Sequence, residues 1–320
     1  MGNNITGIDN VLSRFSKIEN LRSLATVNKN WHETVMFRFG VKKEMDFALR
    51  SGKSYHLRNM GELLRLWDSP DVQFEFFRQM GINAWVKGDS VSFNFKGKRV
   101  RLYADKSQLG HALTLIRELF FYEYEHYKFL DIKGKTVVDI GANIGDSPIY
   151  FCLNGAKQVY AYEPFPHSYA IAKKNIRANG LGGRIELVNE GLGGKRQTMK
   201  VSSGFKSTPS SRLTNERRGT AVKVITLKDV VDRHKIGRNA LLKMDCEGAE
   251  YDIILNAPIE TLRKFDQILV QYHYGYVDIK KRLIEAGFRV INSVPMHYNG
   301  FGTGKSTTAY TGFLYGKLRA

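Results

Sequence analysis

The chain has 320 residues, 42% of them hydrophobic, with 30 glycines and 7 prolines; this fits one large or two modest folded domains and excludes a disordered or fibrous chain. Forty-nine Lys and Arg against 31 Asp and Glu give a formal net charge of +18, which either favours an anionic partner or serves solubility. Two cysteines, Cys152 and Cys246, exclude a disulfide framework and give no zinc spacing. No apolar run has the length of a membrane span, and the N-terminus lacks a basic-then-apolar leader pattern, so a cytoplasmic protein without a transmembrane segment is expected.

In chain order, residues 1–82 read as a mainly helical extension. Val11, Phe15, Ile18, Leu21 and Leu24 recur at helical spacing, as do Leu63, Leu64, Leu66 and Trp67 less regularly. Pro70 opens a further segment from Val72 to Met80. The period changes to two between residues 84 and 104, with Lys96-Gly97-Lys98 as the turn of a β-hairpin. An aromatic helix is expected from Gln108 to Phe129, carrying Phe120, Phe121, Tyr122, Tyr124 and Tyr127, and packing is its ordinary use. From residue 135, strands at 136–140, 157–162, 184–189, 240–245, 266–272, 288–292 and 310–316 alternate with helices. This predicts an α/β doubly wound, mainly parallel sheet within a domain spanning 83–320.

Residues 137–145 carry the first chemical signal. An apolar strand ends at Asp139, and Gly141 and Gly145 then lead into a helix. Such a turn lets a nucleotide approach the backbone closely. Its spacing is not that of a pyrophosphate binder, and Asp139 would repel a phosphate. A cationic, hydroxyl-rich ligand such as S-adenosylmethionine suits it better. Glu163 lies about 20 residues on, at the tip of the next strand, where a carboxylate accepts from ribose hydroxyls. A third strand ends in Asp245, with Glu247, Gly248 and Glu250 behind it. Three acids in six residues suggest metal ligands, but no histidine joins them in sequence, and no metal is expected. Glu250 suits the first turn of a helix.

The motifs VVDIGANIGD, VYAYEPFP and LLKMDCEGAEYDIIL, with QYH after them, resemble the FkbM family of S-adenosylmethionine-dependent methyltransferases over roughly residues 85–315. The resemblance implies a class I methyltransferase (Rossmann-like) fold with seven strands, the last antiparallel. It also implies O-methylation of a hydroxyl on a sugar, glycolipid or glycosylated small molecule. Asp139, Gly141, Asn143 and Gly145 then fit the turn at the methionine end of S-adenosyl-L-methionine. Glu163 fits the ribose acid, and Pro164 and Phe165 border the adenine. Asp245, Glu247 and Gly248 fit the Asp-x-Glu-Gly signature. The family often has an acid two residues before the histidine of the following strand; here Gln271 stands ahead of His273, against an acid–histidine pair or a metal between those strands.

A sugar hydroxyl needs a general base, and His273 is the first candidate, from an ordinary pKa near 6.5. Asp245 is the second, or orients the cofactor amino group. Lys206 and Arg212, in a hydroxyl-rich basic loop, and Glu247 are candidates for substrate binding, the two cations toward an anionic acceptor. The loop at residues 298–306 is a further acceptor wall; its Gly-x-Gly-Lys-Ser lacks phosphate-loop spacing. Two other functions stay open: an RNA methyltransferase, motivated by the charge, and a non-catalytic cofactor-binding subunit. Peripheral membrane contact is compatible with the charge.

Overall fold

The computed structural model describes residues 18–121, 127–201, 219–293, 295–299 and 308–319. The chain divides into two compact units, residues 1–122 and 123–320.

In the first unit, helices α1 (Ile18–Val27), α2 (Trp31–Arg38), α3 (Met60–Trp67) and α4 (Pro70–Gln79) lie in the region expected to be helical, whose residues 1–17, with Val11 and Phe15, lie outside the described residues. Two of their starts follow from chemistry. The Asn59 side chain accepts from Glu62 N at 3.0 Å, and Ser69 precedes Pro70 at the first helical position of α4. An antiparallel hairpin of β1 (Met45–Ala48) and β2 (Ser54–Leu57) interrupts the helices, contrary to expectation. Met45, Phe47 and Leu49 are buried while Asp46 is exposed, a period of two too short to stand out in sequence.

The strands β3 (Ala84–Lys87), β4 (Ser90–Phe95) and β5 (Lys98–Tyr103) form a three-stranded sheet that extends the expected hairpin. Helix α5 (Leu109–Ile116) continues into a π-helical turn, Arg117–Phe121. Residues 122–126 lie outside the described residues, and Tyr127–Phe129 is a separate 3₁₀ turn. The expected boundary after residue 82 therefore falls inside the first unit, and aromatic packing is the reason. Phe93 and Phe95 meet Phe120 at 4.9 and 5.2 Å between ring centroids, and Phe77 of α4 meets Phe121 at 5.9 Å.

The second unit holds the large sheet. Its strands are β6 (Thr136–Ile140), β7 (Gln158–Tyr162), β8 (Ile185–Val188), β12 (Ala240–Met244), β13 (Phe265–Tyr272), β14 (Phe288–Asn292) and β16 (Thr308–Leu318), in the order β14-β16-β13-β12-β6-β7-β8. The pairs from β13 to β8 are parallel, and β16 runs antiparallel to both β13 and β14. β15 (Met296–Asn299) pairs with the start of β16. This is the expected class I methyltransferase sheet with its last strand antiparallel.

The central strands are apolar along their length because helices cover both faces: Val137, Val138, Leu241, Leu242 and Met244 are fully buried. Helices α6 (Asp146–Leu153), α7 (Pro166–Ala178), α8 (Leu227–Arg233), α9 (Glu250–Asn256), α10 (Ile259–Leu262) and α11 (Val277–Glu285) supply that cover. The chain leaves β6 toward β7 and β8, then returns to β12 on the other side of β6. The strand order reverses there, and a crevice opens at the carboxyl ends of β6 and β12.

A second small sheet was not foreseen. In it β9 (Gly191–Leu192), β10 (Gln197–Val201) and β11 (Thr220–Ile225) run in the order β10-β11-β9. Residues 202–218, with Lys206 and Arg212, lie outside the described residues, as do residues 300–307. Among the described residues, no helix is long and apolar enough to cross a membrane.

Candidate active site

The crevice is built from two turns that meet. The first leaves β6 at Ile140 and enters α6 after Gly145. Gly141 has φ +82°, and a Cβ there would stand 1.9 Å from the Asp245 carbonyl oxygen, so no side chain fits where the ends of β6 and β12 converge. Gly141 N and Ala142 N donate to Tyr162 O at 3.0 and 3.1 Å, and Asp245 N donates to Ile140 O at 3.0 Å. Gly145 lies against Ala172 of α7, and Asn175 Nδ2 donates to Ile144 O at 2.8 Å.

Asp139 is fully buried beneath this turn. Its Oδ2 accepts from Ser147 Oγ at 2.6 Å, and its Oδ1 lies 3.0 Å from Lys243 Nζ without the alignment of a hydrogen bond. Lys243 sits directly opposite on β12 and also donates to Gly141 O at 2.9 Å. Burial works against the Lys243 charge, but Asp139, with Tyr127 and Asp245, outweighs it and holds the ammonium well above its ordinary pKa. The sequence placed the Asp139 carboxylate against the ligand; here both its oxygens have neighbours inside the fold, and it shapes the turn from below. Asp146, the first residue of α6, is buried with an Oδ1 that has no hydrogen bond, and burial raises its carboxyl to about 6.

Glu163 stands at the tip of β7. Its Oε2 accepts from Asn143 N at 2.8 Å and its Oε1 from Phe165 N at 3.0 Å, so one carboxylate ties together the two strand-end turns. Asn143 takes φ +47° at that contact. Burial pushes the Glu163 carboxyl up to about 7, against the pull of these two donors. The Glu163 and Pro164 carbonyls accept from Asn189 Nδ2 at 2.8 and 3.1 Å. Pro164 is half-buried at the crevice edge. Phe165 packs into a small core with Val201 and Val222.

The second turn follows β12. Glu247 adopts φ +56° and Gly248 φ +108° before α9 begins. The Glu250 carboxylate reaches back over this turn, accepting from Cys246 N at 2.8 Å and Gly248 N at 2.7 Å. It also faces His273 Nδ1 at 3.1 Å. On the other side of the ring, His273 Nε2 lies 3.4 Å from Glu247 Oε2 and 3.8 Å from Asp245 Oδ1.

The expectation that no histidine joins these acids is therefore overturned. The acid–histidine pair that Gln271 left unmade is supplied by Glu250, because β12 and β13 are parallel neighbours whose tips lie side by side. Burial would discharge His273, but the hydrogen bond and charge of Glu250, with Asp245 and Glu247, hold its imidazolium up to about 9. The ordinary value near 6.5 does not apply. Ligand atoms of Asp245, Glu250 and His273 lie within 4.8 Å of one another, close enough to share a cation, where no metal was expected. The imidazolium itself supplies positive charge in that space.

The order of strands, with the crevice at their carboxyl ends, is that of the class I methyltransferase fold. Residues 139–290 match the family model of the methyltransferase FkbM domain. Among curated proteins, it is 38% identical over 69 residues to the ribosomal protein L11 methyltransferase of Carboxydothermus hydrogenoformans, covering 21% of this chain and 23% of that protein. It is 43% identical over 49 residues to uncharacterized protein 65 of Sulfolobus islandicus filamentous virus, covering 15% of this chain and 31% of that protein. The matches thus span less than a third of either relative. Among solved structures, the FkbM methyltransferase of Methylobacillus flagellatus is similar at 16% identity and a TM-score of 0.40, over 67% of this chain and 56% of that one. The TrmK protein of M. capricolum, in complex with S-adenosyl-homocysteine, gives 15% identity and a TM-score of 0.39, over 62% and 68%. At such scores these likenesses carry no argument about substrate.

Proposed function

We propose that the protein transfers the methyl group of S-adenosylmethionine to a hydroxyl of a sugar, glycolipid or glycosylated small molecule. The observation that supports this most is His273 Nε2 beside Asp245 and Glu247, on the turn that packs against Gly141. The residues fit the cofactor. Each Glu163 oxygen accepts one backbone N–H and keeps a lone pair for a ribose hydroxyl. Gly141, Asn143 and Gly145 offer backbone to the methionine end, and Pro164 borders the adenine. When bound, the cofactor supplies an electrophilic methyl group on a sulfonium.

Glu250 holds His273 by Nδ1 and leaves Nε2 toward the acceptor side. In this reading Nε2 takes the proton of the acceptor hydroxyl, and Asp245 steadies the resulting imidazolium or orients the cofactor amino group. A group with a pKa about 9 is neutral in roughly one molecule in a hundred at pH 7. Turnover at saturating substrate is therefore expected to climb about tenfold per pH unit from 7 and level near 9. A flat profile over that range, or near-full turnover by His273→Ala, would move the proton to Asp245 or to water.

The acceptor class is tested with methyl-labelled S-adenosylmethionine and fractionated cell extract. Label in glycan or glycolipid supports the reading. The net charge of +18 favours RNA as a second reading, and label in RNA would replace the first. The two free cysteines, Cys152 and Cys246, suit a reducing cytoplasm.

A further inference from the structure

The sheet of β3, β4 and β5 in the first unit commits one face to its core. Val91, Phe93, Val100 and Leu102 are fully or nearly fully buried, and Phe93 meets Phe120 at 4.9 Å between ring centroids. The pleat turns alternate residues to the opposite face, and the register fixes which they are. Trp85 of β3 and Arg101 of β5 stand on either side of Ser92. Lys87 and Tyr103 stand on either side of Ser90, and Arg99 is paired with Asn94.

Small residues on the middle strand and long ones on both neighbours make a trough along β4. Ser90 and Ser92 are its floor at 6% and 3% exposure, while Lys87, Asn94 and Arg99 are exposed. The Arg99 guanidinium lies over the Trp85 ring, 4.7 Å from the centroid. Stacking holds the two planar groups together and leaves the N–H edge of the guanidinium for a phosphate. Residues 84–103 contain five cations, Lys87, Lys96, Lys98, Arg99 and Arg101, against one acid, Asp89. Cations beside planar groups, along a polar floor, complement a chain of phosphates whose bases can stack. A bilayer would call for apolar side chains standing out of the face, and the outward positions of β4 are Ser90, Ser92 and Asn94. The Asn94 amide offers a donor and an acceptor together, which complements a ribose 2′-hydroxyl.

We infer that this face binds single-stranded RNA, with phosphates on Lys87 and Arg99 and bases stacked on the Trp85–Arg99 pair. The site lies wholly in the first unit and stands whichever molecule receives the methyl group.

Fluorescence anisotropy of the full chain with a labelled oligouridylate of about 20 nucleotides, without cofactor, tests it. Lys87→Ala with Arg99→Ala should weaken binding about tenfold or more and flatten the slope of log affinity against log salt by about 1.4, the loss of two phosphate contacts on a single strand. Lys264→Ala with Lys281→Ala removes the same charge from exposed sites on the second unit and should stay within about twofold. Trp85→Leu should weaken binding by about fivefold or more through lost stacking. Far-UV circular dichroism in urea checks that each variant folds; the exposed Lys87 and Arg99 keep the test decisive if Trp85→Leu does not. Equal losses from the two lysine- and arginine-free pairs would assign the binding to overall charge and overturn the inference. So would an oligodeoxythymidylate of the same length binding as tightly as the RNA, or no RNA binding in low salt. Vesicles of phosphatidylcholine with phosphatidylserine serve as the last arm: if Lys87→Ala with Arg99→Ala weakens vesicle binding and leaves RNA binding unchanged, the face is a membrane contact and the inference falls.

Discussion

Glu163 holds two loop N–H groups with a carboxylate that burial makes hard to ionise, and cofactor binding should therefore depend on pH. Its ordinary pKa of 4.5 rises to about 7 in the folded chain. The folded state thus holds this proton more tightly than the unfolded one, and the free protein loses stability on this account as pH rises from about 4.5 to 7. Ribose hydroxyls donate best to the ionised form, so cofactor binding should release the proton and tighten as pH climbs from 6 to 8. Calorimetry in two buffers of different ionisation enthalpy measures both effects, and Glu163→Gln should bind about tenfold more weakly with no pH dependence. A binding constant unchanged between pH 6 and 8 in the wild type would count against a ribose role. Lys243 gives a second prediction at this scale. Lys243→Met leaves Asp139 buried without its cation and should cost about 3–5 kcal/mol in urea unfolding. Adding Asp139→Asn should recover most of that loss, because the uncompensated charge is then gone. If the double variant is no more stable than the single one, the ion pair is not what Lys243 contributes.

The turn after β12 shows how an element carries a site, and how much of it is legible in sequence. Its strand was legible because an apolar run ends in acids, and so was the cofactor turn, since Gly141 and Gly145 stand where β6 must give way to α6. Lys243 was not, because a strand buried on both faces has no alternation against which one charged residue stands out. His273 was legible as a base candidate, but its partner was not. Glu250 lies 23 residues away and meets it only once β12 and β13 pair as parallel neighbours. The hairpin of β1 and β2 and the small sheet of β9 to β11 were missed because strands of two to six residues leave little periodicity to count. Tyr274 had no signal at all; the φ of +108° at Gly248 and its lack of a side chain let the Tyr274 ring lie across the turn. Gly248→Ala should therefore distort this turn, lowering stability by about 1–3 kcal/mol and acceptor turnover by at least tenfold. Affinity for S-adenosylmethionine should change by less than threefold, because the cofactor turn packs on the Asp245 carbonyl and not on Gly248. Equal losses in both would place Gly248 in the cofactor site.

At the scale of the whole molecule, the division into units assigns the chemistry to one of them. Cofactor turn, acid–histidine cluster and the family match at residues 139–290 all lie in the second unit, residues 123–320. That unit has a core of its own. Met244, Ile254, Leu262, Phe265, Val270 and Phe288 form one buried cluster within it. The first unit also has its own core, where Phe76, Phe77, Phe93 and Phe120 are fully or nearly fully buried. A core of this kind is the condition for folding alone, so residues 123–320 expressed by themselves should give a monodisperse protein that unfolds cooperatively. That fragment should bind S-adenosylmethionine within about threefold of the full chain, since a binding free energy set by local contacts shifts little when a separate core is removed. Calorimetry on both proteins measures the difference, with urea unfolding as the control for the fold. A fragment that unfolds cooperatively but binds at least thirtyfold more weakly would show that the first unit completes the cofactor site. A fragment that does not fold would show that the second core depends on the first. Binding at full strength would leave residues 1–122 to act on something other than the cofactor.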